Sequence, residues 1–155
     1  MNEIELKIIK EKALEDHIPI IMDDTLEVID KILKETKPKA ILEIGTAVGY
    51  SAMCFSRYLA EGGKIDTIER EHERVEEAKI NIQKVGVADK INILEGDAVE
   101  ILPTLDKKYD VVFIDAAKGK YPFFLEQAKR MLNKNGIIFA SSTLSCSLSI
   151  VSILP

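Results

Sequence analysis

Four short clusters along the chain hold residue types that do chemistry when they converge. The first is Glu43-Ile44-Gly45-Thr46-Ala47-Val48-Gly49-Tyr50-Ser51. Gly45 and Gly49 permit a sharp turn and a close approach of backbone to ligand. The amides that open a following helix favour an anion, and Ser51 adds a hydroxyl. The glycines stand four apart with none between them, so this is not the dinucleotide pattern Gly-x-Gly-x-x-Gly. The plain alternative is a strand-to-helix turn that merely needs glycine. The second cluster ends in Glu69, 20 residues after Gly49. A carboxylate at about that offset can accept both hydroxyls of an adenosine ribose. With Glu71 and Glu73 following, it reads equally as the acidic start of a helix.

The third cluster is Glu95-Gly96-Asp97-Ala98. Asp97 can cap the next helix, and it can also accept from an adenine amino group beside the Ala98 amide. The fourth is Phe113-Ile114-Asp115-Ala116-Ala117-Lys118-Gly119-Lys120-Tyr121. Asp115 closes an almost wholly apolar strand, where a carboxylate needs a partner, either a metal ion or a ligand ammonium. Lys118, on a loop, can serve as a general base if its pKa is lowered; otherwise it is an exposed lysine. His17 and His72 are isolated, and Cys54 and Cys146 match no metal or redox spacing.

Something must carry these clusters to one place. Residues 3–16 and 23–35 have helical apolar spacing, with Leu26, Ile29, Ile32 and Leu33 on one face of the second segment. A short apolar run at 40–44 and further strands at 64–69, 90–94, 110–114 and 136–140 then alternate with helical stretches at 50–60, 71–85, 98–102 and 122–132. That alternation predicts an α/β fold, a doubly wound and mostly parallel sheet with helices on both faces. In such a sheet ligands sit beyond the carboxyl ends of the strands, where all four clusters fall. The organisation is one domain over 1–140, with N-terminal helices at 3–35 and a core at 39–140.

The whole-chain numbers set bounds. At 155 residues, 46% hydrophobic and 30% charged, the chain is a soluble globular domain. A net charge of −5 gives no generic attraction for nucleic acid. Two lone cysteines fit a reducing, cytoplasmic setting. The acidic start lacks the order of a signal peptide, and no run of about 18 apolar residues predicts a membrane span.

Residues 141–155 belong to another kind of sequence. They hold six of the eight serines, and no charge follows Lys134. A short strand, a disordered tail and the product of a shifted reading frame all fit this uncharged, Ser-rich segment. The fifth strand is then expected to lie at the sheet edge, with residues 143–154 covering it or pairing with another chain. Homo-oligomers or poor solubility are the expectation.

Taken together, Leu42 to Ser51, Thr67-Ile68-Glu69-Arg70, Gly96-Asp97-Ala98 and Phe113 to Tyr121 resemble the cation-dependent S-adenosylmethionine O-methyltransferases, the catechol and caffeoyl-CoA type. The look is closest to the bacterial branch containing the tRNA 5-hydroxyuridine methyltransferase, which has a segment similar to His17-Ile18-Pro19-Ile20. The resemblance covers about residues 10–140 and implies a Rossmann-like fold. It implies that Glu43, Gly45 and Ser51 surround the methionine part of S-adenosylmethionine, with Gly49 also in the cofactor site, and that Glu69 holds the ribose and Asp97 with Ala98 the adenine. Asp115 would meet the cofactor's amino group and ligate Mg²⁺ or a similar cation. Lys118 would help deprotonate the acceptor hydroxyl, on a small phenol or catechol or on a modified tRNA uridine.

One departure stands out. Where the family has Asp-Asn after the fifth strand, this chain has Ser141-Ser142. A serine hydroxyl is a far poorer ligand for a hard cation than a carboxylate. The chain also stops before the family's last strands, so the expectation is a truncated copy. It is either a methyltransferase by descent with little metal-dependent turnover, or a non-catalytic remnant that keeps the cofactor. An NAD-dependent oxidoreductase is disfavoured by the absent dinucleotide pattern.

Overall fold

The computed structural model describes residues 1–115, 120–142 and 147–152. Two helices lead, α1 (Glu3–Glu15) and α2 (Asp23–Thr36). Asn2 caps the first, its side chain accepting from the Glu5 amide at 3.2 Å. The second ends on Lys37 in a left-handed conformation (φ 45°) just before Pro38, which cannot continue a helix. The alternating unit follows: β1 (Ala40–Ile44), α3 (Tyr50–Ser56), β2 (Lys64–Glu69), α4 (His72–Val85), β3 (Ile91–Glu95), α5 (Ala98–Ile101), β4 (Tyr109–Asp115), α6 (Tyr121–Met131), β5 (Leu132–Ser142) and β6 (Ser147–Ser152).

The strands form one sheet in the order β3-β2-β1-β4-β5-β6. The first five are mutually parallel and β6 runs antiparallel to β5. The central strands β1 and β4 are covered on both faces, which is why they read as nearly continuous apolar runs. Ile41, Val111, Phe113 and Phe139 face a core shared with Leu6, Ile29, Leu33 and Phe55 of α1, α2 and α3. Leu42, Ile44, Val112, Ile114 and Ile138 face a second core with Phe124, Ala128 and Met131 of α6.

The doubly wound sheet expected from the alternation is the one observed. Two bounds differ. The helix expected over 50–60 stops at Ser56, and the Ala60 amide then bonds the Pro38 carbonyl at 2.9 Å, turning the chain toward β2. The fifth strand begins at Leu132 rather than 136, directly off α6, with a register irregularity between Tyr109 and Val111 of its neighbour. The fifth strand is internal, because Leu148, Ser149, Ile150 and Val151 pair with Ser141, Ala140, Phe139 and Ile138. Among the described residues no helix is long and apolar enough to cross a membrane.

Candidate functional site

The chain leaves β1 toward β2 and later returns to place β4 on the other side of β1, so strand order reverses between β1 and β4. A crevice opens beyond the carboxyl ends of such a pair. Register sets Ile44 beside Ile114, which brings Gly45 against Asp115. Gly45 has φ +102°, and a Cβ there would lie 3.3 Å from the Asp115 Cβ. Gly49 has φ +89°, with a would-be Cβ 3.4 Å from the Cβ of Ala78 on α4. The turn is tied to β2 by the Gly45 and Thr46 amides, which donate to the Ile68 carbonyl at 3.0 and 3.2 Å. From α4, the Asn81 side-chain amide donates to the Val48 carbonyl at 3.0 Å.

Glu43 lies directly beneath this turn and is fully buried. Its carboxylate accepts the Ser51 hydroxyl on Oε2 and the Thr67 hydroxyl on Oε1, the latter at 2.6 Å. Burial pushes its carboxyl up to about 7; the two hydroxyls oppose the rise, while Asp115 and Glu69 add to it. The Thr46 and Thr67 hydroxyls lie 2.7 Å apart. Sequence reading placed Glu43 and Ser51 at the site but missed Thr46 and Thr67. Thr67 stands among Lys64, Asp66 and Glu69 in β2, so polarity does not single it out, and only the register Glu43 to Thr67 gives it meaning.

Glu69 closes the tip of β2. Its Oε2 accepts the Ala47 amide at 2.9 Å, and its Oε1 accepts the Arg70 and Glu71 amides at 2.9 and 3.0 Å. The carboxylate is therefore held in place by backbone before any ligand arrives. Asp97 caps α5, accepting the Val99 amide at 2.9 Å. Both roles offered for Asp97 remain compatible, since Asp97 and Ala98 line a cleft of about 130 Å³ together with Gly45, Glu69 and Asp115. A second, smaller cleft lies on the other side of the turn. Gly45 and Asp115 line it too, with Thr46, Ser51 and Ser141, and Pro19, Ile20 and Ile21 bound it.

Asp115 is half-buried between the two clefts. Burial first, then the Glu69 charge, pushes its carboxyl up to about 6, and no hydrogen bond or cation among the described residues opposes them. The surroundings of the glycine turn are thus acidic. Glu43, Glu69 and Asp115 bear on one another there, and burial keeps two of them reluctant to ionise. Such a place favours a cation, which qualifies the reading of the turn as an anion seat.

The donor set does not suit a hard divalent cation. Asp115 is beside Ser141 in register, and among the described residues no group of three His, Cys, Asp or Glu side chains is placed to hold a metal ion. Lys118 lies outside the described residues, as do Ala116, Ala117 and Gly119. His17 and His72 are exposed, the latter with Nδ1 2.7 Å from Glu95 Oε1. Cys54 is buried, and burial pushes its thiol up to about 12, which leaves it no role as a nucleophile.

This geometry has counterparts. Residues 32–148 match the O-methyltransferase family. A catechol O-methyltransferase of Mycobacterium tuberculosis is 33% identical over 68% of this chain and 49% of its own. A caffeoyl-CoA O-methyltransferase of Populus kitakamiensis is 34% identical over 75% of this chain and 52% of its own. The chain spans about half the length of these relatives. Among solved structures, the O-methyltransferase TomG of Streptomyces achromogenes, in complex with S-adenosylmethionine (SAM), superposes with a TM-score of 0.80 at 28% identity, over 88% of this chain and 64% of that one. The methyltransferase PaMTH1 of Podospora anserina, bound to S-adenosylhomocysteine (SAH), gives 0.79 at 27% identity, over 88% and 60%. On the match over residues 32–148, the chain belongs to the O-methyltransferase family.

Proposed function

We propose that this chain binds S-adenosylmethionine across the Gly45–Asp115 contact and presents it for methyl transfer to a hydroxyl. The observation that carries the reading is the convergence of Glu43, Glu69 and Asp115 on a glycine turn, with no compensating cation acting on Glu43 or Asp115 among the described residues. SAM brings an ammonium and a sulfonium, whereas NAD brings a pyrophosphate that these carboxylates would repel.

The residues present fit that group. Gly45 leaves the space a Cβ would fill, at the junction of the two clefts. The Asp115 carboxylate faces both clefts and would receive the ammonium. Glu69, fixed by three backbone amides, would offer its outer lone pairs to the ribose. Asp97 and the Ala98 amide would border the adenine. Bound there, the cofactor supplies an activated methyl group for in-line transfer to oxygen. The protein's share is to hold the two reactants aligned, which can supply much of the rate. The acceptor proposed is a small phenol or catechol, in keeping with the names of the relatives. A modified tRNA uridine fits less well with a net charge of −5.

Ser141 beside Asp115 favours a second reading, a chain that binds the cofactor without turning it over. Transfer of labelled methyl from SAM to catechol, with and without Mg²⁺, separates the two. Cofactor binding with no Mg²⁺-stimulated transfer is the outcome the second reading requires. Robust Mg²⁺-stimulated transfer would refute it and establish the first.

A further inference from the structure

Thr67 of β2 is fully buried and Thr46 of the turn nearly so, yet both carry a hydroxyl. With the Glu43 carboxylate ionised, the direction of each proton follows. Thr67 donates to Glu43 Oε1 at 2.6 Å, and a hydroxyl has one proton to give. At 2.7 Å from Thr46, Thr67 is therefore the acceptor and Thr46 the donor. Ser51 donates to the other carboxylate oxygen from α3. The chain Thr46 to Thr67 to Glu43, met by Ser51, links the turn, β2, β1 and α3 through one carboxylate. Every arrow points toward the ionised Glu43 carboxylate, which accepts on both of its oxygens. Protonation on Oε2 would reverse the Ser51 bond alone, at a hydroxyl that lines the smaller cleft, and would leave the Thr67 bond to Oε1 in place.

We infer that Thr67 is a positioning residue for cofactor binding. With Thr46 feeding it, Thr67 orders the Glu43 carboxylate so that Ser51 and the Gly45–Gly49 turn are held ready for the cofactor. This rests on the proposed SAM site, and nothing else in that reading requires a hydroxyl at 67. The charged groups that bear on Glu43 are Asp115 from β4 and Glu69 from the tip of β2, both anionic and neither a donor.

Thr67→Val keeps the shape and removes the donor. Its affinity for SAM is expected to fall by roughly tenfold or more, the scale of one lost hydrogen bond to a charged group. Thr67→Ser should restore affinity to near that of the unmodified chain. In the ligand-free protein, the Glu43 carboxyl, followed by carbon NMR, should titrate at higher pH in Thr67→Val than in the unmodified chain or in Thr67→Ser. Thr46→Val carries the same test, with a smaller loss, if Thr67→Val does not fold. Unchanged SAM affinity in Thr67→Val, or a Thr67→Ser variant as weak as the valine, would overturn the inference by reducing Thr67 to packing. So would an unmoved Glu43 titration. If the unmodified chain binds no SAM, the proposed site is wrong, whereas the ligand-free titration still decides the hydrogen-bond chain.

Discussion

Gly45 and Asp115 meet where the strand order reverses, with a would-be Cβ at 45 only 3.3 Å from the Asp115 Cβ. The contact joins the two clefts and leaves the carboxylate facing both. It also places a left-handed residue, at φ +102°, where no side chain fits without moving Asp115.

Gly45→Ala should therefore destabilise the fold by about 1–3 kcal/mol and weaken SAM binding as well. Gly86 is the control, since it has φ +84° but nothing within 4 Å of a would-be Cβ. Gly86→Ala should cost about 1 kcal/mol and leave cofactor affinity unchanged. Chemical denaturation and calorimetry on both variants check this pair.

The two raised carboxyls set opposite pH trends. Glu43 titrates near 7 and Asp115 near 6 in the fold, both above their ordinary values. Between about pH 4.5 and 7 the folded chain binds more protons than the unfolded one, so stability must fall as pH rises. For Glu43 the loss is up to about 3 kcal/mol across that window. Glu43→Gln should flatten the slope. Affinity for a cationic cofactor should instead increase over pH 6–7, as both carboxylates ionise. Denaturation and binding measured over the same pH series would test both signs.

Tyr109 provides a structural contrast. Its fully buried hydroxyl donates to Asp66 Oδ2 at 2.7 Å, where Lys107 also donates at 3.1 Å, and Asn92 donates to the other oxygen at 3.2 Å. None of the four residues lines either cleft beside Gly45. Tyr109→Phe should lower stability by about 1–3 kcal/mol with SAM affinity unchanged, as read by thermal melting and calorimetry.

Metal removal offers another check. With Ser141 beside Asp115, a chelator should leave SAM affinity as it was. The double variant Ser141→Asp, Ser142→Asn, which restores the Asp-Asn expected of the family, should gain a Mg²⁺ site detectable by calorimetry.

Much of this architecture is legible in the sequence because parallel strands buried on both faces read as apolar runs. The segments 40–44 and 110–114 carry that signature, and their ends locate Glu43, Gly45 and Asp115. Helix ends are legible where local chemistry decides them, as at Gly86, which closes α4 at φ +84°. What stays hidden depends on register between distant segments. Thr67 matters because it pairs with Glu43, 24 residues away, and no spacing rule shows that. The acidic surroundings of the turn arise the same way, from three strands meeting. β6 pairs through backbone, so its Ser-rich composition announces little.

The central claim is that the glycine turn and its carboxylates form a seat for a cationic methyl donor. Calorimetric titration of the folded chain at pH 8 with SAM and, separately, with NAD tests it most directly. The expected result is saturable binding of SAM at one site, at least tenfold tighter than any binding of NAD, a margin of about 1.4 kcal/mol. Binding of NAD without binding of SAM would contradict it.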